Sequence, residues 1–271
     1  MADVSELLTA YDSLRDRVPE PLPRGVTVER DGSLVRFFGL AGRGFVVYRD
    51  LGGLEGAELD ELIARQVKVF AKRDERFEWK LHGHDQPDDL SERLRAAGFV
   101  PEETETVVIA AVPNIAAEVH LPEGVSLREV TSRADLQRIA ALEQAVWGEE
   151  DQQNWLVDML ESERAVDPDA LTIVVAEAGP TVVCAAWIRF ERDTDFATLW
   201  GGATLPEWRR RGIYRATVAY RATLAAGRGF RYLETDASED SRPILERLGF
   251  TAVTTTTPYV WSPPEGPATD P

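Results

Sequence analysis

The chain has 271 residues, a length typical of one large or two ordinary domains, and 44% of them are hydrophobic, as in a packed globular protein. It carries 30 Lys and Arg against 47 Asp and Glu, a formal net charge of −17, and such acidity argues against nucleic acid as a partner. The single cysteine, Cys184, excludes an internal disulfide and a multi-cysteine metal site. A diffuse acidic surface favours solubility and, as a second reading, attracts cationic ligands such as amines.

Nothing in the sequence predicts a membrane partner. No run of about 18 apolar residues is present, and the acidic residues 1–12 lack the basic and apolar segments of a signal peptide. We therefore expect a cytoplasmic protein. Of the three histidines, His82 and His84 lie two apart on a predicted strand and His120 stands alone, so without a third ligand we expect no metal site.

The first half of the chain reads as three strands, a helix, a fourth strand and a second helix. Their predicted bounds, in chain order, are 25–29, 34–38, 45–48, 58–72, 77–81 and 88–97. Gly98 follows the last helix, where glycine enters the left-handed conformation at no steric cost. Residues 1–20 are expected to be peripheral.

A segment with two prolines, residues 112–123, is predicted to connect the halves, with the linker proper at 116–124. The second half then alternates strands and helices. Its predicted strands lie at 125–129, 171–177, 182–190, 197–205 and 232–235, and its helices at 132–147, 154–163, 211–226 and 241–248. Ser132 fits the N-cap of its first helix, and Gly179 begins a hairpin turn. The Pro-rich end, 263–271, is expected to fray.

An internal repeat appears when the chain is displaced against itself by 151 residues. Without a gap, seven residues then meet identical ones; in order, Asp85, Asp89, Leu94, Gly98, Phe99, Thr104 and Thr106 fall on Asp236, Asp240, Leu245, Gly249, Phe250, Thr255 and Thr257. Each copy reads as a short strand, an aspartate, a loop, a helix ending in Gly-Phe and a β-rich segment. The repeat predicts two copies of one fold.

The stretch from Gly201 to Ala216 contains the motif that indicates chemistry. It joins a predicted strand to a predicted helix through a turn with three consecutive arginines, Arg209 to Arg211, followed by Gly212. Free N–H groups at a helix start bind phosphate, and guanidinium groups beside them add charge-assisted contacts. The alternative is an ordinary strand–helix junction whose arginines are only solvated. Three consecutive arginines in so acidic a chain make that interpretation the weaker one.

This turn, followed by the helix end at Leu248-Gly249-Phe250, resembles the GNAT superfamily of acetyl-CoA-dependent N-acyltransferases. The cofactor motif of that family is Arg/Gln-x-x-Gly-x-Gly/Ala, and residues 209–214 match it except that Tyr214 replaces the usual small residue. The resemblance covers residues 125–261.

The resemblance implies an α+β (mixed α/β) fold of two GNAT-like domains, each a mixed, mostly antiparallel sheet flanked by helices. Residues 1–115 would form a degenerate copy without the cofactor motif. Residues 125–262 would form the N-acetyltransferase domain.

The resemblance further implies acetyl-CoA as co-substrate. Backbone groups of Gly202, Ala203 and Thr204 would pair with its pantetheine arm like an extra strand, and the Gly201-Gly202 pair would mark a bulge that opens the slot. The residues of the turn and helix start expected to bind the cofactor are Arg209, Arg210, Arg211, Gly212, Ile213, Tyr214, Arg215 and Ala216. Of these, Arg210, Arg211, Gly212, Tyr214 and Arg215 would cradle the pyrophosphate. Ser238, with Ser241 nearby, stands where the family often has an asparagine that contacts the cofactor; a loop hydroxyl or helix cap is the alternative.

Catalysis in the family is direct attack of an amine on the thioester, assisted by a base and by an acid that protonates the thiolate. The family's usual acid is a tyrosine whose position here is occupied by Leu245. Asp236, at the end of the strand flanking the slot, is the candidate base, and Tyr259 is the candidate acid. A solvated or capping aspartate and a half-buried strand tyrosine are the plainer readings of these two residues. Glu143, on the apolar face of a helix, is a third candidate.

The first half lacks the arginine turn. At the offset of 151, residues 209–212 fall on Glu58, Leu59, Asp60 and Glu61, and an acidic helix start repels pyrophosphate. We therefore expect one acetyl-CoA site, in the second half, and transfer to a primary amine of a small molecule or peptide. A non-catalytic GNAT-like module that binds acyl-CoA or a partner is the alternative, and the chain is expected to be a monomer or homodimer.

Overall fold

A computed structural model of the chain describes residues 3–39, 43–148 and 153–264, with no side-chain description at 153 and 154. Its contacts divide the chain into two compact units. Unit 1 consists of residues 1–106 and 254–271, and unit 2 of residues 107–253.

These boundaries differ from the predicted ones. Residues 107–115 group with the second unit, and residues 254–262 group with the first. A strand belongs with its hydrogen-bonded neighbours, and the last strand pairs antiparallel with residues 77–82 of unit 1. The linear order of the sequence does not contain that long-range pairing.

The elements up to residue 115 mix strands with helices. In chain order they are α1 (Val4–Asp12), β1 (Thr27–Asp31), β2 (Leu34–Phe38), β3 (Gly44–Val47), α2 (Gly56–Ala71), β4 (Phe77–His82), α3 (Leu90–Ala96), β5 (Val100–Pro101), β6 (Glu105–Ala111) and α4 (Val112–Ile115).

The remaining elements alternate more regularly. They are β7 (Val125–Val130), α5 (Arg133–Trp147), α6 (Gln153–Val166), β8 (Leu171–Ala178), β9 (Thr181–Phe190), β10 (Phe196–Thr204), α7 (Ile213–Gly227), β11 (Tyr232–Ala237), α8 (Arg242–Leu248) and β12 (Thr251–Trp261). The predicted helices and strands are present, with bounds shifted by a few residues.

Unit 1 contains a sheet with the strand order β1-β2-β3-β4-β12, and β5 lies beside β12. The β3–β4 pair is parallel, whereas β1–β2, β2–β3, β4–β12 and β5–β12 are antiparallel. Side chains of α2 and α3 pack on this sheet, and the ring of Phe70 stacks on that of Phe77 with centroids 4.0 Å apart. The core is therefore rich in aromatic contacts.

The N-terminal segment is not peripheral as expected. Leu7 and Tyr11 of α1 are 5% and 7% exposed, and the Tyr11 hydroxyl lies 3.1 Å from Nε2 of His82. Short amphipathic helices bury one face, and only two apolar positions of this helix carry that signal, which is why the sequence pattern was too weak to predict it.

Unit 2 contains a sheet with the strand order β6-β11-β10-β9-β8-β7. Helices α5 and α6 pack over one hydrophobic cluster, and α7, α8 and α4 pack over another. The β10–β11 pair is parallel, and the β7–β8, β8–β9 and β9–β10 pairs are antiparallel. The α+β fold class with mixed, mostly antiparallel sheets flanked by helices is confirmed.

Local signals account for the ends of several elements in unit 2. The Ser132 hydroxyl accepts a hydrogen bond from the Asp135 amide as the N-cap of α5, as predicted. Gly249 takes the left-handed conformation that ends α8. Among the described residues, no helix has both the length and the apolar character needed to cross a bilayer.

Candidate active site

In unit 2, β10 and β11 stop pairing before β10 ends, and the region between their further residues is here called the slot. Their parallel register covers only three residue pairs, from Phe196–Tyr232 to Thr198–Glu234. The Thr235 hydroxyl then donates a hydrogen bond of 2.8 Å to the Leu199 carbonyl, closing the ladder through a side chain. Over the described residues the two strands share no further register pair, so the rest of β10 presents unpaired backbone toward β11.

A β-bulge bends β10 beyond this point. Gly201 pairs with Ala186 and Ala203 pairs with Ala185, which leaves Gly202 as the extra residue. The φ angles of Gly201 and Gly202 are +69° and +99°, and a Cβ atom at either position would lie within 2.6 Å of a ring carbon. The bulge predicted from the glycine pair is confirmed, and both steric space and backbone conformation require glycine there.

The arginine turn leads from β10 into α7. A short 3₁₀ turn at Pro206–Trp208 is followed by the arginines, and Gly212 at φ +82° is the N-cap of α7. No side chain caps this helix, so the N–H groups of its first turn remain free to bind an anion. Ile213 and Ala216 point into the core at 1% and 4% exposure, which leaves their backbone groups for a ligand.

The arginines of the turn are exposed and lack carboxylate partners among the described residues. Arg209 donates a 3.1 Å hydrogen bond from Nε to the Thr204 carbonyl, which ties the turn to the end of β10. The Arg211 guanidinium lies 4.7 Å from the ring centroid of Trp208. Within the described residues Arg210 and Arg215 form no ion pair, and so the helix start carries uncompensated positive charge in a chain of net charge −17.

Tyr214 fills the space beneath the bulge. Its ring packs against Gly202, where a Cβ atom would approach the ring to 2.6 Å, and burial raises the pKa of its phenol. The residue that departs from the family motif therefore pairs sterically with a glycine on the facing strand. The loop keeps its left-handed glycine and its free helix start.

Ser238 and Ser241 stabilise the turn before α8. Their hydroxyl oxygens lie 3.2 Å apart, and the Ser238 hydroxyl accepts a 3.3 Å hydrogen bond from the Ser241 amide. This geometry corresponds to the loop-hydroxyl alternative. Leu245, at the place of the family's usual acid, is fully buried in the core of unit 2 and supplies no proton.

The two candidate catalytic residues belong to different units. Asp236 follows Thr235 on β11 and is half-buried, on the strand face opposite Leu233 and Ala237, which pack in the core beside α7 and α8. Tyr259 is 3% exposed in the core of unit 1, and it is therefore more deeply buried than the half-buried tyrosine considered from the sequence.

The surroundings of Glu143 and Cys184 suit structural roles for both residues. The Trp147 indole donates a 2.8 Å hydrogen bond to the Glu143 carboxylate on α5. Cys184 is fully buried, as predicted, and burial raises the pKa of its thiol, so it stays protonated and unreactive at neutral pH. Thr204 donates a hydrogen bond of 3.3 Å to its sulfur.

The histidine pair lies in unit 1. His82 contacts Tyr11, and His84 lies 2.9 Å from a carboxylate oxygen of Asp12 and 2.8 Å from the Thr254 hydroxyl. Within the described parts of the chain, no three His, Cys, Asp or Glu side chains are grouped to hold a metal ion.

The sequence analysis missed two residues of the slot region. Thr235 closes the β10–β11 ladder, and nothing in its sequence context signals this role. Arg221 is buried at 2% exposure beneath β10. A signal for it was present, since Tyr214, Thr217 and Arg221 place polar side chains at the helical spacing where a core-facing stripe is normally apolar.

Comparison with known proteins agrees with this geometry. Residues 136–250 match the model of the acetyltransferase (GNAT) family. No curated protein matches the chain.

Solved structures extend the likeness over both units. A GCN5-related N-acetyltransferase from Kribbella flavida is 17% identical with a TM-score of 0.64, covering 97% of this chain and 95% of its own. A tandem GNAT protein from the clavulanic acid biosynthesis pathway is 14% identical with a TM-score of 0.64 and the same coverages. A functionally unknown conserved protein from Staphylococcus epidermidis is 13% identical with a TM-score of 0.66, covering 92% of this chain and 99% of its own. At these identities the likeness concerns the fold.

Proposed function

We propose that the chain, of which residues 136–250 match the model of the acetyltransferase (GNAT) family, is an acetyl-CoA-dependent N-acetyltransferase. The proposal places one acetyl-CoA site in unit 2. The acceptor is a primary amine of a small molecule or peptide.

The observation that carries the proposal is the slot between β10 and β11 together with the uncapped start of α7. Gly202, Ala203 and Thr204 offer backbone groups on a strand that has lost its neighbour, which suits the amide-containing pantetheine arm. The free amides of α7 and the unpaired Arg210, Arg211 and Arg215 suit a pyrophosphate. The two features adjoin each other along eight residues of chain, 205–212.

The chemistry follows from holding the thioester beside an amine. The amine nitrogen attacks the thioester carbonyl carbon, the C–N bond forms, and the C–S bond then breaks with its electron pair on sulfur. Asp236 is the proposed base that takes the proton of the attacking amine, because a half-buried carboxylate on β11 follows the residue at which the slot opens. Water protonates the departing thiolate, since Leu245 has no proton to supply.

A non-catalytic module that binds acyl-CoA is the second candidate function. The observation that favours it is Leu245, fully buried where the resemblance implies an acid. Both candidates share the cofactor site and differ only in turnover. The same experiments therefore separate them.

Isothermal titration tests the cofactor site. We expect about one acetyl-CoA per chain, and we expect Arg211→Glu to weaken binding at least about a hundredfold, because it replaces a charge-assisted phosphate contact with repulsion. Arg192→Glu makes the same change of charge elsewhere in unit 2, at an arginine paired with Asp167, and should leave binding unchanged. A stoichiometry of two, or equal effects of the two variants, would contradict the site.

Thiol release from acetyl-CoA tests turnover. The assay uses a panel of polyamines, aminoglycosides, amino acids and peptides, with release measured above the rate without acceptor. Acceptor-dependent release supports the transferase. Tight binding without release for any member of the panel supports the binding module.

A further inference from the structure

Arg221 of α7 is a buried cation without a carboxylate partner in the described parts of the chain. It is 2% exposed, and it lies in a helix whose other buried residues are mostly apolar. Transfer of a guanidinium from water to the protein interior is costly unless polar groups replace the water. Its surroundings must therefore supply hydrogen-bond acceptors.

Backbone carbonyl groups supply them. Nε of Arg221 donates to the Thr217 carbonyl at 3.1 Å, and Nη1 donates to the carbonyls of Trp187 at 3.0 Å and Trp200 at 3.1 Å. A single nitrogen thus joins β9 to β10. Charged donors make the stronger hydrogen bonds to carbonyl groups, and these bonds lie in a region from which water is excluded.

The clamped residues adjoin the bulge. Trp187 and Trp200 face each other in the register of β9 and β10, and the next pair along is Gly201 with Ala186, after which the register shifts. Arg221 therefore holds together the last but one regular pair before the extra residue, Gly202. This fixes the point at which β10 turns away from its regular path.

Other polar groups beneath the slot adjoin the guanidinium. The Tyr214 phenol and the Cys184 thiol lie near the Arg221 guanidinium, and Tyr214 packs against Gly202. Thr217 is fully buried on the same face of α7. These neutral groups surround the cation without cancelling its charge.

We propose that Arg221 is a positioning residue for acetyl-CoA, which clamps the carbonyls of Trp187 and Trp200 and thereby holds the backbone of residues 202–204 in place for the pantetheine arm. This inference rests on the proposed function, because it takes the slot to be the pantetheine site. Arg221 itself touches neither the pyrophosphate turn nor the acceptor. Its loss should therefore weaken the pantetheine part of binding selectively.

Two ligands separate the parts of the site. Acetyl-CoA occupies the slot and the arginine turn, whereas 3′-phosphoadenosine 5′-diphosphate has the nucleotide and pyrophosphate without the pantetheine arm. Arg221→Met should weaken acetyl-CoA binding about tenfold, the equivalent of one or two backbone hydrogen bonds, and leave the shorter ligand within about twofold. Val218→Ala, a core change on the same helix, controls for loosening of α7 and should change the affinity of neither ligand selectively.

Arg221→Lys adds a readout that a merely space-filling role would not move. A buried lysine has a depressed pKa and loses its proton as the pH rises, whereas arginine stays charged. The affinity of Arg221→Lys for acetyl-CoA should approach that of the wild type near pH 6 and fall several-fold by about pH 9, beyond any change in the wild type. If Arg221→Met does not fold, this variant decides the matter.

The outcomes distinguish the two proposals. A wild-type protein that binds neither ligand overturns the proposed function and this inference with it. Where the wild-type protein binds both ligands, only this inference is overturned if Arg221→Met weakens the binding of both ligands equally or changes the binding of neither. This inference is also overturned if the affinity of Arg221→Lys for acetyl-CoA changes with pH in parallel with that of the wild type.

Discussion

The two units contain the same strand–loop–helix junction and put it to different uses. In unit 1, β3 pairs in parallel with β4 over three residue pairs, and in unit 2, β10 pairs with β11 over three. In each, eight residues separate the strand from the next helix, 48–55 in unit 1 and 205–212 in unit 2. The strand itself differs, because β10 runs on for six residues past its last parallel pair and β3 for one. Within the residues that the structure describes, the extended, bulged segment beside the slot is found in unit 2 alone.

The charges of the two loops are opposed. The loop of unit 1 has one arginine against two carboxylates and leads into α2, which has Glu58 in its first turn. The loop of unit 2 has three arginines against one carboxylate and leads into α7, whose first turn has no acidic residue. A pyrophosphate is thus attracted by one helix start and repelled by the other.

Unit 1 closes its junction with its own side chains. Asp85 accepts hydrogen bonds of 2.5 Å from Arg15 and 2.6 Å from the Tyr48 hydroxyl, and its own side chain is 4% exposed. An open cavity of about 260 Å³ lies above this network, lined in part by Asp50 and Glu55. The Arg15 guanidinium at this junction is paired with Asp12 and Asp85, whereas the arginines of the unit 2 turn have no carboxylate partner among the described residues. Asp85 and Asp236, the aspartates matched by the internal repeat, accordingly differ in expected role.

The largest expected effect is on turnover in unit 2. Asp236→Asn should lower the transfer rate about 10²–10⁴-fold, the contribution of a general base, while acetyl-CoA affinity and thermal stability stay close to wild type. Tyr259→Phe should lower the rate less than about tenfold, because the tyrosine is a core residue of unit 1. Steady-state thiol release checks both. A thousandfold loss in Tyr259→Phe with a near-normal Asp236→Asn would reverse the assignments.

The matching change in unit 1 should affect stability instead. Asp85→Asn leaves the buried Arg15 charge without its main partner and should lower the free energy of unfolding by about 3 kcal/mol. Urea unfolding at neutral pH measures this loss. The affinity for acetyl-CoA should not change, and a large loss of affinity with normal stability would mean that unit 1 takes part in cofactor binding.

Lowering the pH of the wild-type protein should reproduce part of the stability loss expected for Asp85→Asn. Burial disfavours the charged form of Asp85, but the hydrogen bond that its carboxylate accepts from the His82 amide and the charge of Arg15 outweigh burial and lower the pKa to about 2. Because the folded-state pKa lies below the unfolded value of 3.8, the stabilisation is present above about pH 4 and is lost as the pH falls toward 2, by about 2 kcal/mol. The stability difference between wild type and Asp85→Asn should shrink over that interval, and a constant difference would argue against this linkage.

The smallest expected effect compares two glycines with positive φ. Gly202→Ala would strain the backbone and drive a Cβ atom against the Tyr214 ring, so acetyl-CoA affinity should fall about fivefold. Gly52→Ala imposes backbone strain at φ +65° with no heavy atom within 4 Å of the added carbon. Gly52→Ala should lose about 1 kcal/mol of stability, and Gly202→Ala should lose more because the contact with the Tyr214 ring adds to the same backbone strain. Titration calorimetry should find the loss of affinity in Gly202→Ala alone, and equal affinities would mean that the bulge does not shape the slot.

The predicted internal repeat matches the order of elements in the two units, but the offset between corresponding residues is not constant at 151. Helix ends Gly98 and Gly249 correspond at the offset of 151, but the parallel registers align Phe77 with Tyr232, an offset of 155. The loop after the strand is therefore shorter in unit 2. When the starts of α2 and α7 are aligned, the arginine turn corresponds to the loop before α2, rather than to residues 58–61 inside that helix.

The sequence by itself determined the features that depend on neighbours in the chain. The Ser132 cap, the Gly201-Gly202 bulge and the free arginine-flanked helix start could be predicted because each arises from the conformational preferences and charges of a few consecutive residues. Only the tertiary structure decided which unit holds the last strand, that Tyr259 lies in a core, and that Arg221 clamps two strands. Those outcomes depend on pairing between residues far apart in the chain, and the free energy of such contacts comes from packing and burial that no local pattern encodes.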